Sequence, residues 1–166
     1  MSAFVIDTNV PVVANGRAEQ AGAGCVLACL QALEEVYASG IVILDEGGLV
    51  LDEYMNNLNM SGQPGAGDFF FKWVWQNQAV PQRCERVTIT PRQDDPSDFE
   101  EFPRDPRLAG FDRADRKFVA LAIASSLEPT VLNAVDSDWW DFGAALAENG
   151  ARVRNLCPEQ ERAGTR

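Results

Sequence analysis

Short apolar runs alternate with helix-like stretches along most of the chain, and the runs predict buried strands. Three runs are mainly apolar instead of alternating with polar residues: 3–7 (AFVID, ending in an acid), 41–44 (IVIL) and 130–135 (TVLNAV). Such runs are typical of parallel strands that are covered on both faces. Residues 86–90 (RVTIT) and 151–156 (ARVRNL) predict two further strands, so the pattern favours a sheet of about five strands.

Apolar residues at helical spacing fill most of the stretches between these strands. The segments predicted to be helical are residues 9–16, 24–39, 49–60, 69–77, 112–127 and 139–149. Gly40 and Gly150 follow two of them, where a helix would end, and Asp68 precedes the fourth as a candidate N-cap. Residues 91–110 are polar and rich in proline, which predicts a surface loop with a short helical turn.

The alternation of strands and helices favours an α/β fold, because parallel strands need helical crossover connections. We expect a three-layer sandwich with a mainly parallel, about five-stranded sheet flanked by helices. The length of 166 residues favours one domain, which we place at residues 1–158. Residues 159–166 predict a flexible C-terminal tail.

The absence of histidine excludes several kinds of catalysis. Without imidazole there is no Ser-His-Asp triad, no Cys-His nucleophile pair and no ribonuclease chemistry of the histidine type. If the protein is an enzyme, carboxylates, hydroxyls or a hard metal ion must carry the chemistry.

The four cysteines predict buried, reduced thiols more readily than a metal site. Cys25 and Cys29 are spaced i, i+4, which is not a usual zinc-ligand spacing, and Cys84 and Cys157 stand alone. A zinc site that uses all four is the weaker alternative. Residues 1–9 (MSAFVIDTN) show no secretory signal, and no run approaches the roughly 18 apolar residues of a membrane span. We therefore expect a cytoplasmic protein without membrane association.

Four separated acids have a route to a single cleft. Asp7 and Asp136 follow predicted strands, and in parallel sheets ligands bind outside the carboxyl ends of the strands. Asp115 and Glu53 lie in helices that follow strands and so begin near the same edge of the sheet. Carboxylates at the ends of neighbouring strands, about 5 Å apart, repel each other unless a proton or cation lies between them. Oxygen ligands suit Mg²⁺ or Mn²⁺, which can activate water and stabilise charge in phosphodiester hydrolysis.

The net charge of −11 weighs against a polyanionic partner. Two divalent cations would neutralise four clustered carboxylates, but about seven negative charges would remain. We therefore expect only modest affinity for nucleic acid.

At these acids the chain resembles the PIN domain family of nucleases. The matching pieces, in order, are FVIDTN at residues 4–9, LDEYMNNL at 51–58, FDRADRKFVALA at 111–122 and AVDSDWWDF at 134–142. Each piece alone is a weak signal, whereas the ordered set is fairly specific and covers nearly the whole chain. The resemblance implies a five-stranded parallel sheet and Mg²⁺- or Mn²⁺-dependent endonuclease activity, most often on RNA.

The resemblance also implies a role for individual residues. Asp7, Glu53, Asp115 and Asp136 look like the catalytic acids and metal ligands. Asp138 matches a further metal-binding acid, although Trp139 stands where phenylalanine is usual. Thr8 and Asn9 would support Asp7 by hydrogen bonds, and Asp112 is a further supporting residue. Asp112 and Asp138 are also natural helix N-caps, which would explain both without any role at the site.

Many small members of this family are toxins of bacterial toxin–antitoxin pairs. The resemblance thus implies an RNA substrate, with single-stranded DNA as an alternative, and an antitoxin or other regulatory protein as a partner. A homodimer is a further expectation, since exposed tryptophans would favour one. The long region 62–110 departs from the compact toxins, which weakens the toxin assignment more than the nuclease assignment.

Two other functions are also compatible with the sequence. A PIN-like module could bind RNA or a partner protein without cutting, although the intact set of acids argues against it. A phosphohydrolase of the haloacid-dehalogenase type also begins with a strand that ends in aspartate. That family needs an acid two residues later, where this chain has Asn9.

Side chains beside the acids have ordinary structural explanations as well. Arg116 and Lys117 could contact phosphate, and a solvated helix face is equally plausible for them. The four tryptophans could stack on bases, but packing in the core or an interface is the better prediction. The acids of residues 94–101 predict a solvated loop, with mimicry of phosphate as the weaker alternative.

Overall fold

A computed structural model describes residues 1–157 and shows one five-stranded sheet in which all neighbouring strands run parallel. The strand order across the sheet is β3-β2-β1-β4-β5. The strands are β1 (Ser2–Ile6), β2 (Gly40–Asp45), β3 (Cys84–Val87), β4 (Thr130–Asn133) and β5 (Arg152–Asn155). The α/β fold with a parallel sheet flanked by helices is therefore confirmed. The predicted tail, residues 159–166, lies outside the described residues.

The helices follow the predicted order, but two of the predicted helices each consist of two separate elements. They are α1 (Asn9–Ala14), α2 (Ala23–Ser39), α3 (Leu49–Asn57), α4 (Ala66–Asn77), α5 (Arg116–Ala124), α6 (Asp138–Asp141) and α7 (Gly143–Glu148). The stretch predicted as one helix over 112–127 consists of a 3₁₀ turn, Arg113–Asp115, followed by α5. The predicted helix 139–149 divides into α6 and α7 at Phe142.

The centre of the sheet is dry, which explains the apolar runs in the sequence. Val5 on β1, Val42 on β2 and Val131 on β4 are completely shielded from solvent. Burial of each such side chain contributes about 1.5–3 kcal/mol to the free energy of folding. Helix α5 packs against β1, β2 and β4. The 3₁₀ turn before it is thereby fixed near the central strands.

Region 62–110 is joined to the body by a close approach of α4 to α1. A Cβ atom on Gly67 would lie 1.8 Å from the carbonyl oxygen of Pro11, so only glycine fits there. Asn15 accepts hydrogen bonds from the N–H groups of Gly67 (2.7 Å) and Asp68 (3.0 Å). The N-cap of α4 is Gly65, so the prediction of Asp68 as the cap is wrong by three residues. Its carboxylate still accepts a bond from the Gly65 N–H, at 3.0 Å.

Two of the four cysteines form a disulfide, which corrects the prediction of reduced thiols for that pair. Cys25 in the first turn of α2 is bonded to Cys157, which follows β5. The residues are separated by 132 positions, so their spacing in the sequence gave no indication of the pairing. Within residues 1–157, no helix combines the length and apolar character that crossing a bilayer requires.

Candidate metal centre

The ends of β1 and β4 bring Asp7 and Asp136 to the same edge of the sheet. The two strands are neighbours, with Ile6 paired to Leu132, and the Asp7 N–H donates to the Leu132 carbonyl at 3.2 Å. This confirms the expectation that the strands ahead of both acids lie side by side. Strand β4 ends at Asn133, however, so Asp136 lies in the following turn and not at the strand end itself.

A pair of asparagines shapes the turn that carries Asp136. The Asn133 amide donates to the carbonyl of Asp136 at 2.9 Å, and its oxygen accepts from the Asp136 N–H at 3.2 Å. Asn9 donates to the same Asn133 oxygen at 2.8 Å and accepts from the Ala134 N–H at 2.9 Å. These bonds fold the turn back toward β1. Sequence reasoning missed Asn133, a completely buried polar residue.

Asp115 comes from a different segment of the chain, at the end of the 3₁₀ turn. Asp112 caps this turn by accepting from the Ala114 N–H at 3.0 Å. Asp138 in turn accepts from the Asp112 N–H at 3.1 Å, and its own N–H donates to Asp136 at 3.0 Å. Asp112 and Asp138 therefore connect the two segments that carry Asp115 and Asp136.

Three acids meet as a result. Asp7, Asp115 and Asp136 each offer a carboxylate oxygen, and these oxygens lie within 4.8 Å of one another. We call this trio the acidic centre. Asp7 and Asp115 are buried and Asp136 is partly exposed. Glu53 and Asp138 are not among the three.

The acidic centre is not neutralised by basic side chains. Within residues 1–157, no lysine or arginine forms an ion pair with any of its three acids. Burial raises the pKa of Asp7, and the negative charges of Glu53 and Asp136 raise it further. Burial likewise raises the pKa of Asp115, with added repulsion from Asp7 and Asp136. The centre therefore favours either bound protons or a bound cation.

Two hydrogen bonds orient Asp7. The Asn9 backbone N–H donates to one carboxylate oxygen at 2.9 Å, and the Trp139 indole N–H donates to the other at 2.8 Å. Trp139 is fully buried, as expected for packing in the core, and its ring contacts Phe111. Its role as a hydrogen-bond donor to Asp7 was missed. The residue that looked like an imperfect match to the PIN pattern positions the first acid.

Glu53 lies beside the acidic centre, with partners of its own. It accepts hydrogen bonds from the Thr8 hydroxyl and from the Lys117 ammonium, the latter at 2.6 Å. Thr8 thus supports Glu53, where we expected it to support Asp7. The N–H groups of Leu49 and Val50 donate to Asp45 at 2.8 and 2.9 Å, which fixes the start of α3. Asp45, an acid at the end of β2, was not singled out by the sequence.

Arg116 has a structural role, contrary to both predictions made for it. It is buried, forms an ion pair with Asp98 at 3.2 Å and donates to the Ala109 carbonyl at 2.9 Å. Its guanidinium also lies 4.4 Å from the centre of the Phe102 ring. Lys117 is buried too, so neither residue lies on a solvated face.

The acids of residues 94–101, here called the acidic loop, are mostly paired with arginines. Asp98 is buried and contacts both Arg104 and Arg116 at 3.2 Å, so the prediction of a solvated loop is wrong for this residue. Burial alone would raise the pKa of Asp98, but hydrogen bonds from the Phe99 N–H and from the two arginines hold it below its ordinary value. Asp95 pairs with Arg113.

The donor set of the acidic centre fits a hard divalent cation. All three groups are carboxylates, and oxygen ligands are those that Mg²⁺ and Mn²⁺ prefer. Comparisons of the chain with protein-family models, with curated proteins and with solved structures found no match. The interpretation of the centre therefore depends on its own residues.

Proposed function

We propose that this protein is a metal-dependent endonuclease that hydrolyses phosphodiester bonds, with RNA as its substrate. The observation that carries the proposal is the set of three carboxylates within 4.8 Å without a basic partner. Buried carboxylates without a basic partner destabilise the fold, and such groups are typical of sites that bind a ligand. The PIN-like order of the acids on a parallel sheet adds support, as does the absence of histidine.

The chain's own residues prepare the acidic centre for Mg²⁺ or Mn²⁺. Asp7, Asp115 and Asp136 would hold the ion, and Asn9 and Trp139 fix the direction of the Asp7 carboxylate. Without an ion, burial raises the pKa of Asp115 and so favours a protonated carboxyl group there. When bound, such an ion supplies activation of water and stabilisation of charge on a phosphoryl group.

Glu53 completes the proposed site from α3. Its salt bridge to Lys117 balances its charge, so it approaches the acidic centre without adding an unpaired carboxylate. Asp138 acts as a positioning residue through the Asp112 and Asp136 backbone contacts. We keep Glu53 as a proposed catalytic acid and place Asp138 outside the metal ligands.

Partners and location belong to the same proposal. A regulatory protein such as an antitoxin and a homodimer stay predictions. The cytoplasm also stays a prediction, and the Cys25–Cys157 disulfide weighs against it, because reducing compartments keep thiols reduced. A PIN-like module that binds without cutting is the alternative function.

A cleavage assay tests the proposal. The protein is incubated with labelled single-stranded RNA and with single-stranded DNA of the same sequence, with Mn²⁺ or with EDTA. We expect cleavage that requires Mn²⁺ and is lost in Asp7→Asn, while circular dichroism shows that the variant stays folded. Full activity of Asp7→Asn would overturn the assignment. Tight RNA binding without cleavage by the unaltered protein would favour the binding module.

A further inference from the structure

A cavity of about 220 Å³ opens between the start of α3, the acidic loop and the 3₁₀ turn that carries Asp115. Its walls include Leu49 at the start of α3, Phe99 of the acidic loop, and Ala114 and Lys117, which bracket Asp115 in the sequence. Leu49 and Glu53 are four residues apart on α3 and so lie on one face of that helix. Lys117 lines the cavity and also bonds Glu53 at 2.6 Å. One side chain therefore connects the cavity to the proposed catalytic acids.

The far wall of this cavity is held in place by ion pairs. Pro96, Ser97 and Phe99 of the acidic loop line it. Asp98 between them is anchored by Arg104 and Arg116. The loop segment is further fixed where Phe99 pairs with Pro91 in an antiparallel bridge. The wall is thus preformed, and it comes from the region 62–110 that departs from the compact PIN toxins.

The chemistry of the lining suits a planar base attached to a phosphate. Leu49, Pro96 and Phe99 supply apolar surface, and the Ser97 hydroxyl is a polar group beside them. Two cations, Arg113 and Lys117, also line the cavity, and the Arg113 side chain is 58% exposed. Exposed guanidinium planes stack on unpaired bases and attract phosphates. Each of these cations also pairs with an acid, Arg113 with Asp95 and Lys117 with Glu53, so a bound phosphate would share them with those carboxylates.

The size of the cavity restricts the occupant. Sites for drug-sized molecules occupy about 300–1,000 Å³, so a cavity of about 220 Å³ suits a single base. We propose that this cavity receives one nucleobase of single-stranded RNA, next to the phosphate that lies at the acidic centre. The proposal rests on the nuclease function proposed above and names how that site selects its substrate.

The first test fills the cavity. Leu49 is 38% exposed, so Leu49→Trp can place an indole at the cavity without disturbing the core, and Leu27→Trp on α2 (54% exposed) is the matched control. The substrates are an intact RNA oligonucleotide and versions that lack one base on either side of the cleaved bond. For the unaltered protein, loss of one of these bases should lower kcat/KM about tenfold. Leu49→Trp should lower kcat/KM on intact RNA similarly and abolish the difference between intact and abasic RNA.

Three results of this comparison between the variants would overturn the proposal. Equal penalties for the missing base in the unaltered protein and in Leu49→Trp would overturn the proposal, and so would Leu49→Trp activity equal to that of Leu27→Trp. Calorimetric affinity for Mn²⁺ should be unchanged in Leu49→Trp. Its loss would show that the substitution acts through Glu53, and this would also count against the cavity. If removal of one base lowers kcat/KM equally for a DNA oligonucleotide, the cavity does not select RNA, and the proposal of an RNA base is wrong.

A binding measurement separates failure of the cavity from failure of the proposed function. Fluorescence anisotropy of labelled RNA in EDTA requires no cleavage. Arg113→Ala should weaken binding several-fold, and Arg154→Ala should not, although Arg154 is also an exposed arginine with an acidic partner, Glu35. If nothing is cleaved yet Leu49→Trp and Arg113→Ala both weaken binding, the nuclease proposal fails and the cavity remains an RNA site. Equal binding by all variants overturns the cavity.

Discussion

The acidic centre and the acidic loop both concentrate carboxylates, but they treat the charge in opposite ways. In the acidic loop, the buried Asp98 has two arginine partners, and its pKa is lowered. In the acidic centre, Asp7 and Asp115 are buried without a basic partner among residues 1–157, and their pKa values are raised. The first arrangement stabilises the fold, whereas the second costs stability until a proton or cation is bound.

This contrast separates a functional cluster from an acidic stretch better than composition does. Residues 94–101 have the higher density of acids in the sequence, yet four of the five acids form ion pairs with arginines: Arg92, Arg104, Arg113 and Arg116. The acids of the centre are scattered along the chain and meet only in the fold. Burial without compensation, more than the number of acids, marks the candidate site.

The largest expected effect separates the two groups by activity. Asp115→Asn should reduce Mn²⁺-dependent RNA cleavage by roughly 100-fold or more, because one ligand of the proposed ion is lost. The metal-free variant should be at least as stable as the unaltered protein, since an unpaired buried acid has been removed. Initial cleavage rates and urea unfolding measure the two quantities. If Asp115→Asn loses activity only because it unfolds, Asp115 stabilises the fold and the proposed contrast with the acidic loop is wrong.

The next effect is on stability and concerns the acidic loop. Asp98→Ala should lower the free energy of unfolding by about 3 kcal/mol, because it leaves the buried guanidinium of Arg116 without its carboxylate. Asp94→Ala in the same loop removes an exposed acid and should change stability by less than about 0.5 kcal/mol. Urea denaturation of both variants provides the measurement, and equal stabilities would show that the Asp98 pair is not structural.

The pH dependence of stability should also divide the two groups. Because the pKa values of Asp7 and Asp115 are raised, the folded protein keeps protons that the unfolded chain releases near the ordinary value of 3.8. The metal-free protein should therefore lose stability as the pH rises from there through the raised pKa values, by about 1.4 kcal/mol per pKa unit. The lowered pKa of Asp98 acts oppositely: its stabilisation is present above 3.8 and is lost as the pH falls.

Thermal unfolding at pH 5 and pH 8 checks this dependence. In EDTA, the unaltered protein should lose more stability between the two pH values than Asp7→Asn, and Mn²⁺ should remove most of the loss. A pH response identical in the two proteins would mean that Asp7 carries no raised pKa.

The smallest effect concerns the orientation of Asp7. Trp139→Phe removes the indole N–H that donates to Asp7 at 2.8 Å, and should cost about 1 kcal/mol of stability. Affinity for Mn²⁺ should fall about tenfold, as for other residues that orient a ligand. Trp73→Phe, in the aromatic contact with Tyr37, is the control and should leave Mn²⁺ affinity unchanged. Unchanged Mn²⁺ binding in Trp139→Phe would show that the indole is only part of the core.

Most of the fold was accessible from the sequence because the central strands and the long helices have strong local signals. The continuous apolar runs of β1, β2 and β4 indicated a covered parallel sheet, and the sheet is parallel throughout. Element bounds were less certain. Strand β3 was expected at residues 86–90 and is found at Cys84–Val87, where its pairing with β2 outweighs local β-propensity.

The candidate site was only partly accessible. Asp7, Asp115 and Asp136 were found because strand ends and helix starts share one edge of the sheet. Asn133, Asp45 and the Trp139–Asp7 bond were not found, because their roles depend on contacts between distant segments. The pairing of Glu53 with Lys117 spans 64 positions, and no local pattern indicates it.

Titration calorimetry with Mn²⁺ tests most directly whether the acidic centre is a metal site. We expect the unaltered protein to bind Mn²⁺ with release of protons, because the ion replaces those held by the acids with raised pKa values. Asp7→Asn should lose this binding, whereas Asp98→Asn should retain it if the variant is folded. Equal Mn²⁺ binding by Asp7→Asn and the unaltered protein would contradict the account.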